Sequence, residues 1–174
     1  MRNILAFLLL VAATSVLAQD KNPVSSAIKE ILPRQQKNIV AAAEQMPADK
    51  YSFKPTPDQI TFGHLVLHIL ESNNRYCSKI GDMPEAKPPA PLKETDDKDK
   101  LVTALKASFD FCASALEKVN DSKLGDELEL SGGRKATRAL ALISLGSGWA
   151  DHYGSAAMYL RLNGLLPPTA QPKK

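Results

Sequence analysis

The sequence predicts an all-α fold, specifically a four-helix bundle with a long proline-rich crossover between its second and third helices. Aromatic residues make up only 6% of the chain, and Ala and Leu are abundant, a composition that favours helices over a β-sandwich. Apolar residues recur at helical spacing in four separate stretches. The chain shows no alternating apolar and polar run long enough for a sheet. Its 174 residues suit one domain with a real core.

The first 18 residues have the pattern of a secretory signal peptide. Arg2 supplies the positive start, and the apolar run from Ile4 to Val11 is too short to span a bilayer. Small residues precede the bond after Ala18, where we expect cleavage. We therefore predict an exported protein, periplasmic or secreted, with no stable membrane insertion after cleavage. A retained membrane anchor is the alternative.

The first helix is predicted to begin at Asn22 and Pro23, because Asn caps helices well and Pro suits the first helical position. The apolar pattern continues to about Met46. Pro33 interrupts it, so we expect a kink or a restart there. Residues 47–60 then form an extended connector.

The second helix is predicted to start near Gln59 or Thr61 and to end at Ile80, with Gly81 as its cap. Residues 82–96 contain four prolines, which exclude regular structure and predict the long crossover.

The third helix is predicted from about Asp97 to Val119, and a loop follows over residues 120–133. The fourth starts near Lys135 and ends before Gly164, a glycine of the kind that terminates helices.

These elements predict a bundle over residues 19–168 and a flexible tail over residues 169–174. Pro167 and Pro168 mark the boundary, and the tail is polar.

The charge balance argues against nucleic acid as a partner. The formal net charge is +3, and removal of Arg2 with the leader lowers it to +2. A nucleic-acid binder would show a clustered basic face, whereas the lysines here alternate with acidic residues.

Two cysteines, Cys77 and Cys112, are present. An oxidising destination permits a disulfide between them, and the even count favours it over two buried free thiols. The bridge would join the second and third helices across the crossover.

The three histidines are the candidates for a metal site. His64 and His68 are one helical turn apart, a spacing that lets two imidazoles meet one metal. His152 lies on the apolar stripe of the last helix. The alternatives are a solvated polar face, shared with Glu71, for the first two and a hydrogen-bonded core histidine for His152.

With these residues in view, the chain resembles the DinB family of four-helix-bundle proteins. The resemblance implies that His68 and His152 occupy metal-ligand positions. Three segments carry it: residues 61–69, His152-Tyr153-Gly154, and residues 159–164 with Pro167 and Pro168.

The chain departs from that family at Gly148. Family members typically carry a ligand histidine four residues before the last one, and Gly148 holds that position here. Either the metal is lost or His64 serves as the third ligand.

Understood members of the family include metal-dependent thiol transferases and isomerases. We therefore predict a divalent cation, zinc, nickel or similar, and a hydrolase or transferase acting on a small molecule. The alternative is a non-catalytic bundle, structural or ligand-binding, that has lost the metal site. A homodimer through Ala139, Ile143 and Leu162 is a further prediction.

Overall fold

Four helices pack as a bundle in the computed structural model, which describes residues 21–88 and 90–172. The predicted leader lies outside these residues. The all-α, four-helix prediction is confirmed. The helices are α1 (Pro23–Gln45), α2 (Phe62–Ile80), α3 (Lys98–Leu116) and α4 (Arg138–Leu162).

The most extensive helix contacts join α2 to α3 and α1 to α4. One hydrophobic core fills the space between the helices. Phe109 of α3 and Trp149 of α4 are both almost wholly buried, with ring centroids 5.9 Å apart. Burial of such large rings supplies much of the stabilising apolar area.

We expected a kink or a restart of the first helix at Pro33; the restart is wrong, because α1 runs unbroken through this residue. Proline removes one backbone hydrogen bond, but it does not prevent a helix held on both sides by packing. Leu32 precedes Pro33, Ile39 follows it, and both are buried in the core.

The segment between α3 and α4 contains a small hairpin, whose first strand lies where we expected a loop. Its second strand lies where we expected the fourth helix to start, so α4 begins later than predicted. Strand β1 (Glu127–Glu129) pairs antiparallel with β2 (Lys135–Thr137). Gly132 and Gly133 adopt φ values of 71° and 74° in the turn, which glycine accommodates readily. Strands of three residues are too short to give a readable alternation, so the sequence pattern missed them.

Cys77 and Cys112 form a disulfide, as predicted, with their Cα atoms 5.1 Å apart. The helices are close beside it, since a Cβ built on Gly81 would lie 2.8 Å from the Cβ of Ala115. The disulfide therefore joins α2 and α3 near a close approach of their backbones.

The crossover between α2 and α3 contains no helix or strand among its described residues. Thr61 and Asp97 are the residues that precede α2 and α3.

Within residues 21–88 and 90–172, no helix combines the length and the apolarity that crossing a bilayer requires. Thr169, the first residue of the predicted flexible tail, hydrogen-bonds the hydroxyl of Tyr153 through its backbone and side chain.

Candidate metal cleft

Two of the three predicted ligand histidines meet in a cleft between α2 and α4. The ring centroids of His68 and His152 are 5.0 Å apart, in an edge-to-face arrangement. The cleft has a volume of about 330 Å³, and Gly148 and Trp149 also line it. Helices two and four therefore bring imidazoles from distant parts of the chain into one cavity.

A buried hydrogen-bond chain holds the floor of the cleft. The indole Nε1 of Trp149 donates to Oδ1 of Asn73 at 2.8 Å, and Nδ2 of Asn73 donates to Oγ of Ser108 at 3.0 Å. The chain ties α4 to α2 and α3, so it fixes the helical turn that carries His152.

Sequence analysis missed Asn73. The available signal was a polar residue on the apolar face of α2, one turn after Ile69 and one turn before Cys77, both of which are buried. A polar side chain at such a position needs hydrogen-bond partners.

Gly148 leaves space beside His152, one helical turn away. A Cβ built on Gly148 would have Nε2 of His152 as its nearest neighbour, at 3.9 Å, an ordinary van der Waals contact. Nε2 of His152 therefore faces the place where the side chain of residue 148 would begin, and a larger residue fits there.

His64 does not line this cleft. Its Nδ1 is 2.6 Å from Oε2 of Glu94 in the crossover, and its side chain is 47% exposed. Within residues 21–88 and 90–172, no three His, Cys, Asp or Glu side chains are grouped so that they could hold a metal ion. The structure thus unites His68 and His152 but places His64 with Glu94.

The surroundings of His152 favour its neutral form. Burial lowers the pKa of His152, the nearby His68 lowers it further, and Asp151 opposes both effects. A neutral imidazole keeps one nitrogen lone pair free, which is the form that binds a metal.

The spacing of the two rings is compatible with one shared cation. Two imidazoles bound to a tetrahedral zinc through nitrogens at about 2 Å place their ring centroids about 5 Å apart. The observed 5.0 Å fits this value. The described residues supply two ligands to such a site, and the position that Gly148 leaves vacant is where a third would start.

The chain is a helical bundle, a class of fold in which metal and ligand sites are commonly built between helices. Its exposed His68 and half-buried His152 lie in such a cleft. The chain is a member of the DinB superfamily, whose family model matches residues 31–147. The matched segment includes His64 and His68 and ends one residue before Gly148.

Three solved structures share this fold. A DinB-like protein from Bacillus subtilis is 21% identical with a TM-score of 0.66, covering 84% of this chain and 99% of that one. A DinB-like protein from Bacillus cereus is 16% identical with a TM-score of 0.68, covering 82% of this chain and 95% of that one. A conserved protein from Enterococcus faecalis is 18% identical with a TM-score of 0.64, covering 80% of this chain and 96% of that one. No curated protein matches the sequence significantly.

Proposed function

We propose that this protein holds a divalent cation, zinc or nickel, between His68 and His152 and acts as a hydrolase or transferase on a small molecule. The observation that carries the proposal is the approach of the two rings, 5.0 Å between centroids, from separate helices. Membership of the DinB superfamily supports it by analogy of fold and motif.

Each part of the cleft has a role in this proposal. His68 and His152 would hold the cation, and the Trp149–Asn73 hydrogen bond keeps α4 in register with α2. A bound divalent cation lowers the pKa of a coordinated water or thiol. Arg75 also lines the cleft. The volume of about 330 Å³ limits the substrate to a small molecule.

We also propose that the protein works outside the cytosol. The leader pattern and the Cys77–Cys112 disulfide support export. A substrate available in the periplasm or medium then suits the cleft better than a cytosolic thiol.

The experiment is a metal titration on protein purified without an affinity tag and stripped with a chelator. Calorimetry with Zn²⁺ and Ni²⁺ should show one site in the wild type. His68→Ala and His152→Ala should each weaken it at least about tenfold, because each removes one of two protein ligands. His64→Ala is the matched control and should change the affinity less than about twofold.

The second candidate is a bundle that binds a small molecule without metal. Gly148 at the third ligand position favours it, as does the absence of a three-ligand group from the described residues. Wild-type protein that takes up neither metal, with a melting temperature unaffected by chelator, would overturn the first candidate. A small molecule that co-purifies with metal-free protein would support the second.

A further inference from the structure

A second and larger cavity lies on the other side of α2. It has a volume of about 690 Å³, is open to solvent on one side, and is lined by residues of α2, α3 and the crossover. Consecutive residues of α2 mark the division, because Asn73 lines the histidine cleft and Asn74 lines this cavity. The proposed metal site does not account for it.

The cavity exists because neither of its two walls fills the space between them. On α3 the facing side chains include Ala104 and Ala107, which are small. The crossover carries Pro84, Pro88 and Pro91, and proline-rich chain remains extended rather than collapsing onto its neighbours. The small residues of α3 and the extended crossover opposite them leave an apolar groove in between.

Asn74 supplies an unused hydrogen-bond acceptor in this groove. Its Oδ1 is shielded from solvent and accepts no hydrogen bond from the described residues. A shielded acceptor without a partner is costly, and Asn74 itself lines the cavity. A ligand with an O–H or N–H donor would satisfy it.

The charges around the groove balance. Lys100 is paired with Asp96, 3.0 Å between Nζ and Oδ2. Lys87 and Asp99, of opposite charge, both line the cavity. The groove therefore has no net charge with which to select an anion or a cation.

We infer that this groove binds a neutral, largely apolar small molecule that carries one hydroxyl or amine donor, recognised by Asn74. The volume lies within the usual range of ligand pockets, about 300–1,000 Å³. This ligand is separate from the substrate of the histidine cleft.

Fluorescence of N-phenyl-1-naphthylamine, a neutral apolar probe with one N–H donor, tests the inference. The full chain should bind it, and Ala107→Phe or Thr103→Phe should weaken binding at least about tenfold by filling the groove. Both positions are exposed, so the variants should fold. Ala150→Phe, at an exposed alanine of α4, is the matched control and should bind as the wild type does. Equal binding by all variants would overturn the inference.

A matched pair of competitors tests the role of Asn74. Decan-1-ol and decyl methyl ether have the same alkyl chain but differ in the donor, so the alcohol should displace the probe about fivefold better. Asn74→Leu should remove that preference. Tighter binding of decanoate than of the alcohol would overturn the inference. A preference for the alcohol over the ether that survives in Asn74→Leu would overturn the role of Asn74. His152→Ala should retain probe binding, so failure here and failure of the metal site are distinguishable.

Discussion

Gly148 is the residue that most sharply separates this chain from the three-histidine pattern of the family it resembles. The missing side chain leaves Nε2 of His152 facing open space. The same position lies one turn from His152 on the same face of α4, so the backbone that would support a third ligand is still present.

Restoring that ligand is therefore a direct prediction. Gly148→His should tighten Zn²⁺ binding at least about tenfold over wild type, because a third imidazole completes a three-ligand site. Calorimetry measures the change. Gly154→His is the control, since a Cβ there meets nothing within 4 Å, His152 included, and it should leave the affinity unchanged. If the Gly148→His protein folds but binds Zn²⁺ no more tightly than the wild type, the three-histidine site of the family does not lie in this cleft.

At the scale of the element, the start of α1 depends on a residue nearly a hundred positions away. Asp121 accepts hydrogen bonds from the backbone N–H groups of Val24 and Ser25, each at 2.9 Å, and from the Ser25 hydroxyl at 2.7 Å. These groups are the unpaired donors of a helix N-terminus, where negative charge is also favoured.

The capping carboxylate predicts an acid-sensitive contribution to stability. Partial burial raises the pKa of Asp121, but the hydrogen bonds from Val24 and Ser25 outweigh it and leave the pKa below its usual value. The contribution is therefore present above the unfolded pKa of about 3.9 and is lost as the pH falls through the folded pKa. Asp121→Asn should melt below wild type at pH 7, and the gap should narrow at pH 3. Asp49→Asn is the exposed control; a constant gap for Asp121→Asn would contradict the assignment.

The disulfide between α2 and α3 makes the second element-scale prediction. Closing a loop over the separation of 35 residues should contribute about 3–4 kcal/mol in the chain-entropy model. The double variant Cys77→Ala, Cys112→Ala should lose that much free energy of unfolding in urea. Reductant should lower the stability of the wild type and leave the double variant unchanged. A double variant as stable as the oxidised wild type would contradict it.

At the scale of the whole molecule, α4 exposes two pairs of large apolar residues, one pair near each end of the helix. Four residues at helical spacing are about half exposed: Leu140, Ile143, Met158 and Leu162. The sequence predicts a homodimer through Ala139, Ile143 and Leu162, of which Ile143 and Leu162 are among these exposed residues. Exposed apolar residues on one face are typical of such interfaces.

Sedimentation over a concentration series measures the assembly state. The wild type should approach a dimer, and Ile143→Lys with Leu162→Lys should remain monomeric, because desolvating two ammonium groups opposes association. Ala150→Lys, at an exposed position of α4, is the control. A wild type that stays monomeric throughout the series would exclude the dimer.

Much of this architecture could be predicted from local patterns. Periodicity and prolines gave the four helices and the crossover, and the cysteine count gave the disulfide. Pro33 was misread because packing on both sides, at Leu32 and Ile39, overrides its helix-breaking effect. The hairpin around Gly132 and Gly133 was too short to show a period.

The site was less predictable, because its contacts are non-local. His64 and His68 share a spacing that suits one metal, yet Glu94, 30 residues further on, contacts His64. Asn73 could not be assigned a partner from sequence, because Trp149 is 76 residues away. Residue type and helical face identify candidates, but only the tertiary arrangement selects among them.

The most direct test of the account is the anomalous scattering of crystals grown with zinc. We predict a peak in the cleft, about 2 Å from one nitrogen of His68 and one nitrogen of His152. Zinc found only at the exposed His64–Glu94 pair, or no peak between the two rings, would contradict the proposed metal site.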